Sequence, residues 1–594
     1  MSSFIQIANK KKDQWMESFH FRLARPDALL QLAILGLVTG FIAGGVIVIF
    51  RLVVESTQDY LLPGNSPENY EALNSDIRFL FPILASVLLA LLFYKLSKGL
   101  RVLGIARVME RMAYHQGYLT VREFVLQFLG AGIAIIGGHS VGREGPHVHL
   151  GAASGSLFAQ SLKLPNNSIR TLVASGAAAG IAASFNTPLA GVIFALEVIM
   201  MEYTLVSFVP VMLAAVAATG LSNAVLGSEP AFIIPNIVSV SLQELPVLIL
   251  LGLVTGSVAA LFNQLLTTLS AKTQSIEIWW RVMAAGLLIA VIGYFQPQVL
   301  GIGYDTINET LRGNLPILVL LVLTFAKLIA TSISIGLGVP GGMVGPAFFI
   351  GATLGGVIGY LASMMFGVDA THIGFYAILG MGAMLGASLQ APLAALTAIM
   401  ELTYNPGIIM PGMLTIVIAQ LTASEVFNKK SLFVSMLRSN GLDYTINPVM
   451  QVLRGIGVAS ILDNKSVRIA SLITIDHANQ LMADSENVNW ILLNDKEGKL
   501  KTLMPVFELA KYLQTTINNQ DDVTEETEFD LFEIPANRLQ LSPISLQSNL
   551  QQAHEKFQQG AEALYVVFNE QQAENSSRIY GIITKSMVDA SYKV

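Results

Sequence analysis

The sequence predicts an all-α polytopic membrane protein made of two repeats of broken and re-entrant helices, followed by a small α/β cytosolic domain. Three observations carry this expectation. The 594-residue chain is 53% hydrophobic and 13% charged, with a mean hydropathy of +0.58, far more apolar than a soluble protein of its size. Ala28 to Phe50 and Leu245 to Ala271 contain no Asp, Glu, Lys or Arg, and each reaches the ~20 residues with which a helix crosses hydrocarbon. A pattern of glycine and proline also recurs in the two halves of the apolar region.

Taken in order, residues 1–27 read as a cytosolic helix. Lys10, Lys11 and Lys12 precede a polar, aromatic-containing stretch, whereas a signal peptide would continue with a short apolar core and a small-residue cleavage site. Residues 28–441 form the transmembrane domain, with repeats at 28–226 and 245–437. Lys95, Lys98, Arg101, Arg107 and Arg111 follow the second span, while the loop between the first two spans carries Glu55, Asp59, Glu68, Glu71 and Asp76. Basic loops stay in the cytoplasm, which puts residues 1–26 and 95–111 there, and Lys429 and Lys430 after the last apolar run put the C-terminal region there too.

Between Leu328 and Ser424 the only charges are Asp369 and Glu401, so that stretch must cross more than once. The runs 124–138, 146–162, 171–184, 188–201, 373–387 and 391–400 are too short, or too broken by Gly and Pro, to be simple spans. Interrupted backbone is tolerated in lipid only where protein or a water-filled cavity satisfies the freed N–H and C=O groups. Such segments in matching positions of two halves point to a transporter's binding site.

The halves match in detail. Gly142, Gly145, Pro146, Gly151, Ala152 and Gly155 recur as Gly342, Gly345, Pro346, Gly351, Ala352 and Gly355, and Ser184 to Glu197 recurs as Ser388 to Glu401. Ordered agreement that includes two prolines and a glutamate marks a true repeat. From Leu442 charges, Gln and Asn return. Residues 442–594 read as a soluble domain with strands at Trp490–Leu493, Ala563–Phe568 and Arg578–Thr584, the last leading into a helix, and a solvated loop at 519–529.

Composition excludes several functions. A net charge of −6 with no basic patch interleaved with aromatics argues against nucleic acid as a partner. The chain has no cysteine, which removes disulfides, thiolate metal sites and cysteine nucleophiles. No metal site is expected, because His147 and His149 are two apart on a helix and do not share a face.

Within GGHSVGREGPHVHLGA (137–152), Gly138 to Gly142 fits G-x-S-x-G, the strained turn of many serine hydrolases. A nucleophile elbow should follow a strand, whereas this motif follows an apolar helical run and recurs at 338–346 without its serine. An intramembrane hydrolase using Ser140 is therefore the remote alternative. Pro146 and Pro346 each follow a Gly-rich turn, as a proline in the first turn of a helix does. Two helix N-termini in equivalent places offer unpaired N–H groups and partial positive charge to an anion. Glu144 stands beside one of them. A mid-membrane carboxylate costs about 2.5–3.5 kcal/mol, so it marks a functional site; here it serves as a tethered anion that protonation releases. Glu197 and Glu401 end equivalent helices and read as structural carboxylates or as part of an ion path, their symmetry favouring structure.

At GREGP (142–146), GGMVGP (341–346), FNTPLAG (185–191) and QAPLAA (390–395), over residues 28–437, the sequence resembles the CLC family of chloride channels and chloride/proton antiporters. The resemblance implies inverted repeats, a homodimer with one anion path per subunit, a lipid bilayer of the prokaryotic inner (plasma) membrane type, and chloride or a related anion as substrate, with no resident cofactor in the membrane region. It implies gating by Glu144 and an anion site built from the backbone of Gly142, Arg143, Gly145, Met343 and Val344. Three positions depart from the family pattern. Leu103 stands where a serine usually coordinates the anion, Phe433 where a pore tyrosine is usual, and Val198 where antiporters often carry an inner proton glutamate. These departures place a passive channel ahead of chloride/proton antiport, with protons as a second partner under the alternative. Residues 442–594 resemble the paired CBS modules of the family, which implies adenine-nucleotide regulation or a purely structural dimer contact; Met587 stands where a ribose-binding aspartate is common.

Overall fold

In this computed structural model the described residues are 23, 28–64, 67–94, 103–228, 232, 242–366, 371–439, 441–442, 448–483, 488–494, 500–517, 528–568, 570 and 578–591. The expected N-terminal helix lies outside them apart from Leu23, as does most of the loop expected at 519–529. The chain divides into two units, Leu29–Leu162 with Ile169–Thr445, and Met1–Ala28, Lys163–Ser168 and Ile446–Val594.

The larger unit is helical throughout. Its first half holds α1 (Leu29–Leu61), α2 (Ser75–Phe93), α3 (Ile105–Tyr114), α4 (Val121–Ile136), α5 (Glu144–Ser161), α6 (Asn166–Phe185), α7 (Pro188–Phe194) continued as a π-helix (Ala195–Met200), and α8 (Leu205–Leu226). Its second half holds α9 (Leu245–Thr273), α10 (Ile278–Phe295), α11 (Tyr304–Leu311), α12 (Ile317–Gly336), α13 (Val344–Phe366), α14 (Thr371–Leu389), α15 (Pro392–Thr403), α16 (Ile409–Leu421) and α17 (Leu432–Ser439). Among the described residues, nine helices are long and apolar enough to cross a membrane. One of them, α6, falls where the sequence suggests only a short piece (171–184). It reaches 20 residues because its polar start, Asn166 to Arg170, is helical and buried.

Small residues set the packing. Along α1, Gly36, Gly40 and Gly44 lie against Pro210, Ala214 and Ala218 of α8; a Cβ at Gly40 would come within 2.3 Å of the Ala214 carbonyl oxygen. This is the close backbone approach that holds helices together where water supplies no hydrophobic drive. The repeat shows in equivalent crossings: Gly151 meets Gly176 between α5 and α6, and Gly351 meets Gly380 between α13 and α14.

The smaller unit holds α18 (Pro448–Gly455), β1 (Ser466–Ile469), β2 (Leu472–Thr474), α19 (Ile475–Ala483), β3 (Trp490–Asn494), β4 (Leu500–Pro505), α20 (Val506–Ile517), β5 (Glu528–Asp530), β6 (Leu539–Ser545), α21 (Leu550–Gln558), β7 (Ala563–Val567), β8 (Gly581–Thr584) and α22 (Lys585–Ala590). Six strands form a sheet in the order β1-β3-β4-β6-β7-β8. β1 is parallel to β3 and β3 antiparallel to β4; β6 is parallel to β7 and β7 antiparallel to β8. The unit is thus an internal duplication, each half a strand, helix, two strands and a helix, with the short β2 added between β1 and α19 in the first. The strand expected from Arg578 starts at Gly581, and Phe568 lies past the end of β7.

Glycine spacing on α1 yields a stability test. Gly40→Ala should destabilise by roughly 1–3 kcal/mol, since backbone must move. Gly45→Ala, where the nearest atom to a new Cβ is 3.9 Å away, should be neutral or slightly stabilising. Thermal unfolding of both variants in detergent checks this; equal losses would contradict the packing described.

Candidate anion site

The loops before α5 and α13 meet through an antiparallel bridge of equivalent residues. Gly142 N–H donates to the Gly342 carbonyl at 2.8 Å, and Gly342 N–H donates to the Gly142 carbonyl at 2.6 Å. This corrects one sequence expectation, because the Gly142 N–H is spent on the bridge and cannot hold an anion. Pro146 and Pro346 each stand third in their helix, where a missing N–H leaves no bond unmade.

Glu144 opens α5 and is fully buried. Its Oε2 accepts a hydrogen bond from Gly345 N–H at 3.0 Å, so the carboxylate of one repeat lies on the N-terminus of the other repeat's helix. Glycine makes the room: a Cβ at Gly142 would stand 2.3 Å from Oε2, and one at Gly345 about as close as 3.1 Å. The second carboxylate oxygen accepts from the hydroxyl of Tyr304. A charged carboxylate held by N–H and O–H donors is where a mobile anion would be held by the same donors.

Tyr304 is the residue the sequence did not reveal. It lies 160 positions from Glu144, at the start of α11, after a Gly-x-Gly turn in which Gly301 and Gly303 both have positive φ. That turn is the only local signal, and it names no partner. The ring stacks near Phe185 and meets Phe232 edge-on, while the Arg143 guanidinium sits 5.1 Å from its centre. Arg143 also pairs with Glu55 at 2.9 Å, and Glu55 pairs with Arg51 at 3.1 Å. Its side chain is therefore engaged in a structural pair rather than pointed at Glu144.

On the other side of Gly145 lies a cavity of about 520 Å³. Leu103, Gly145, Met343 and Phe433 line it, together with Arg107 and Arg281. Leu103 and Phe433 contribute hydrocarbon only, so its polar character comes from backbone and from other side chains, with Glu110 and Glu277 balancing Arg107 and Arg281. Val344, first in α13, is buried and does not line this cavity. Val198 is buried within the π-helix, a distortion that often accompanies a functional position.

Glu197 and Glu401 are reciprocal caps. Glu197 accepts from Leu393 N–H and Ala394 N–H at 3.2 and 2.7 Å; Glu401 accepts from Leu189 N–H and Ala190 N–H at 2.9 and 2.7 Å. Each satisfies the start of the other repeat's short helix, α15 or α7, which meets the structural expectation for both. The hydrolase reading finds no catalytic geometry. Ser140 is buried and bonds Thr331 at 3.0 Å, while His139 bonds Ser86, His147 bonds Ser184 and His149 bonds the Gly104 carbonyl. None of the three imidazoles serves Ser140.

Residues 83–424 match the family model described as voltage gated chloride channel. The H(+)/Cl(-) exchange transporter ClcA of Vibrio parahaemolyticus is 29% identical over 441 residues, which span 70% of this chain and 92% of that protein. Among solved structures, a slow cyanobacterial Cl-/H+ antiporter is 22% identical with a TM-score of 0.62, covering 69% of this chain and 97% of its own. A eukaryotic CLC transporter is 20% identical with a TM-score of 0.59, covering 94% of this chain and 98% of its own; at these identities the likeness shows the fold.

The cap exchange makes its own prediction. Glu197→Ala or Glu401→Ala should each cost on the order of 1–3 kcal/mol by stranding two N–H groups, while the pH dependence of anion flux stays that of the parent. Thermal unfolding in detergent alongside flux measured over a pH series checks both halves.

Proposed function

The chain belongs to the voltage gated chloride channel family and moves anions across a membrane as a multi-pass protein, and from that premise we propose that it exchanges chloride for protons. The reading is carried by the position of the Glu144 carboxylate, on the Gly345 N–H where an anion would sit. One site then takes either a carboxylate or a chloride. Chloride entering from either side displaces the charged side chain, and a displaced carboxylate takes up a proton; return of the side chain releases the proton and expels the anion. The bacterial relative named as an exchange transporter supports exchange over the passive channel that the three sequence departures suggest.

Val198 cannot carry a proton. The cavity lined by Leu103, Gly145 and Phe433 is large enough for many waters, each occupying ~30 Å³, and in this reading water brings the proton toward Glu144 from that side. The proposal includes the homodimer and a bacterial inner (plasma) membrane, with both termini in the cytoplasm and the α1–α2 connection outside. The C-terminal domain is regulatory in this reading. If it takes an adenine nucleotide, Glu508, third in α20, is the carboxylate placed to accept from a ribose hydroxyl. The equivalent position in α22 is Met587, whose sulfur accepts from Thr584 N–H at 3.5 Å.

Purified protein in liposomes under a chloride gradient, with pH followed on both sides, tests exchange. We expect protons to move uphill against chloride, and Glu144→Gln to stop proton movement while chloride still flows. Chloride flux with no proton movement in the parent protein would establish a channel instead.

A further inference from the structure

We propose that Glu68, on the connection between α1 and α2, is a positioning residue that ties the pH on that side of the membrane to the strength with which Tyr304 holds Glu144. This rests on the reading of Glu144 as the gate. The Glu68 carboxylate accepts from Gly303 N–H at 3.2 Å and from Tyr304 N–H at 3.5 Å. It therefore fastens the backbone of the residue whose side-chain hydroxyl holds Glu144.

The rest of that turn is already fixed by contacts that leave Tyr304 itself alone. Gly301 N–H donates to the Gly138 carbonyl at 3.2 Å. The buried ring of Tyr70, two residues from Glu68, fills the space over Gly138 and Gly301, and its hydroxyl donates to the Ile135 carbonyl at 2.7 Å. From α12, the buried Lys327 ammonium donates to the carbonyls of Val299 and Gly301 at 3.0 and 2.9 Å. Gly303 and Tyr304, at the junction with α11, are what Glu68 adds.

The charged groups that face Glu68 are Arg143 at the start of α5 and Asp305 on α11, with Lys327 on α12 and Glu144 beyond Tyr304. Burial holds the Glu68 carboxyl up at about 7, with Asp305 pushing the same way and Arg143 and the two N–H groups opposing. Above that pH the side chain is a carboxylate and its N–H bonds are charge-assisted. Below it the side chain is neutral, those bonds weaken, the start of α11 loosens and Tyr304 releases Glu144 more readily. Acid on this side thus acts twice, on Glu68 and on Glu144, so flux in the parent protein should rise more steeply than one proton allows.

The test is chloride flux in liposomes over pH 5 to about 8.5 for the parent, Glu68→Gln, Glu68→Asp, Tyr304→Phe and the Glu68→Gln/Tyr304→Phe double variant. Glu68→Gln should raise flux at alkaline pH by at least about threefold and lower the apparent proton order from about two toward one. Glu68→Asp should restore a pH response, and the double variant should match Tyr304→Phe alone, because both act through one latch. A thermal unfolding midpoint in detergent close to that of the parent shows that each variant is folded. A parental pH profile in Glu68→Gln, or additive effects in the double variant, would overturn the proposal. Glu144→Gln distinguishes the two readings: if it keeps the parental pH profile, the gate reading fails; if it flattens the profile while Glu68→Gln changes nothing, only the role of Glu68 fails.

Discussion

Two helix N-termini meet inside this protein, and the structure around them follows from that encounter. α5 and α13 each end in N–H groups that no carbonyl of their own helix can accept, and each carries roughly half a positive charge. Brought together at the Gly142–Gly342 bridge in a buried place, they repel unless an anion lies between. Glu144 supplies that charge from within the chain, and its bond to Gly345 reaches across the repeat boundary. In the proposed reading such a site passes anions because a departing chloride is replaced by the carboxylate and the reverse.

The same reciprocity runs through the membrane unit. Equivalent residues exchange equivalent bonds: Gly142 with Gly342, and Glu197 with the start of α15 as Glu401 with the start of α7. Such exchange requires a local two-fold relation between the halves, the relation implied by inverted repeats. It also explains two carboxylates at apolar positions that take no part in the anion site. Short helices that stop within an apolar unit leave their first N–H groups without water, and a glutamate from the other half satisfies them. Glycine at the crossings lets the helices approach closely enough for these bonds to form.

Much of this was legible in the sequence because it is periodic or repeated. Pro146 and Pro346 located the helix starts, Glu144 stood out as a charge in an apolar run, and the offset between Glu197 and Glu401 announced equivalence. Partners were not legible. Tyr304 is one aromatic residue among many, and nothing in its neighbourhood says that its hydroxyl meets a carboxylate 160 residues away. The Gly142 N–H looked free because its acceptor lies in the other repeat. In the C-terminal unit the strongly apolar strands β3 and β7 were readable, whereas β2 and β5, three residues each, carry too little pattern to be recognised alone. The balance between channel and exchanger is not legible in single positions: Leu103, Phe433 and Val198 favour a channel, whereas the likeness to an exchange transporter over 70% of the chain favours exchange.

The central claim is that the Glu144 carboxylate and a transported anion compete for one place beside Gly345 N–H. A crystal structure of Glu144→Gln grown in bromide tests it most directly, since bromide is located by its anomalous scattering. A bromide is expected within hydrogen-bond distance of Gly345 N–H, where the carboxylate lies in the parent protein. Bromide found only elsewhere, with the glutamine side chain still seated on Gly345 and Tyr304, would contradict it.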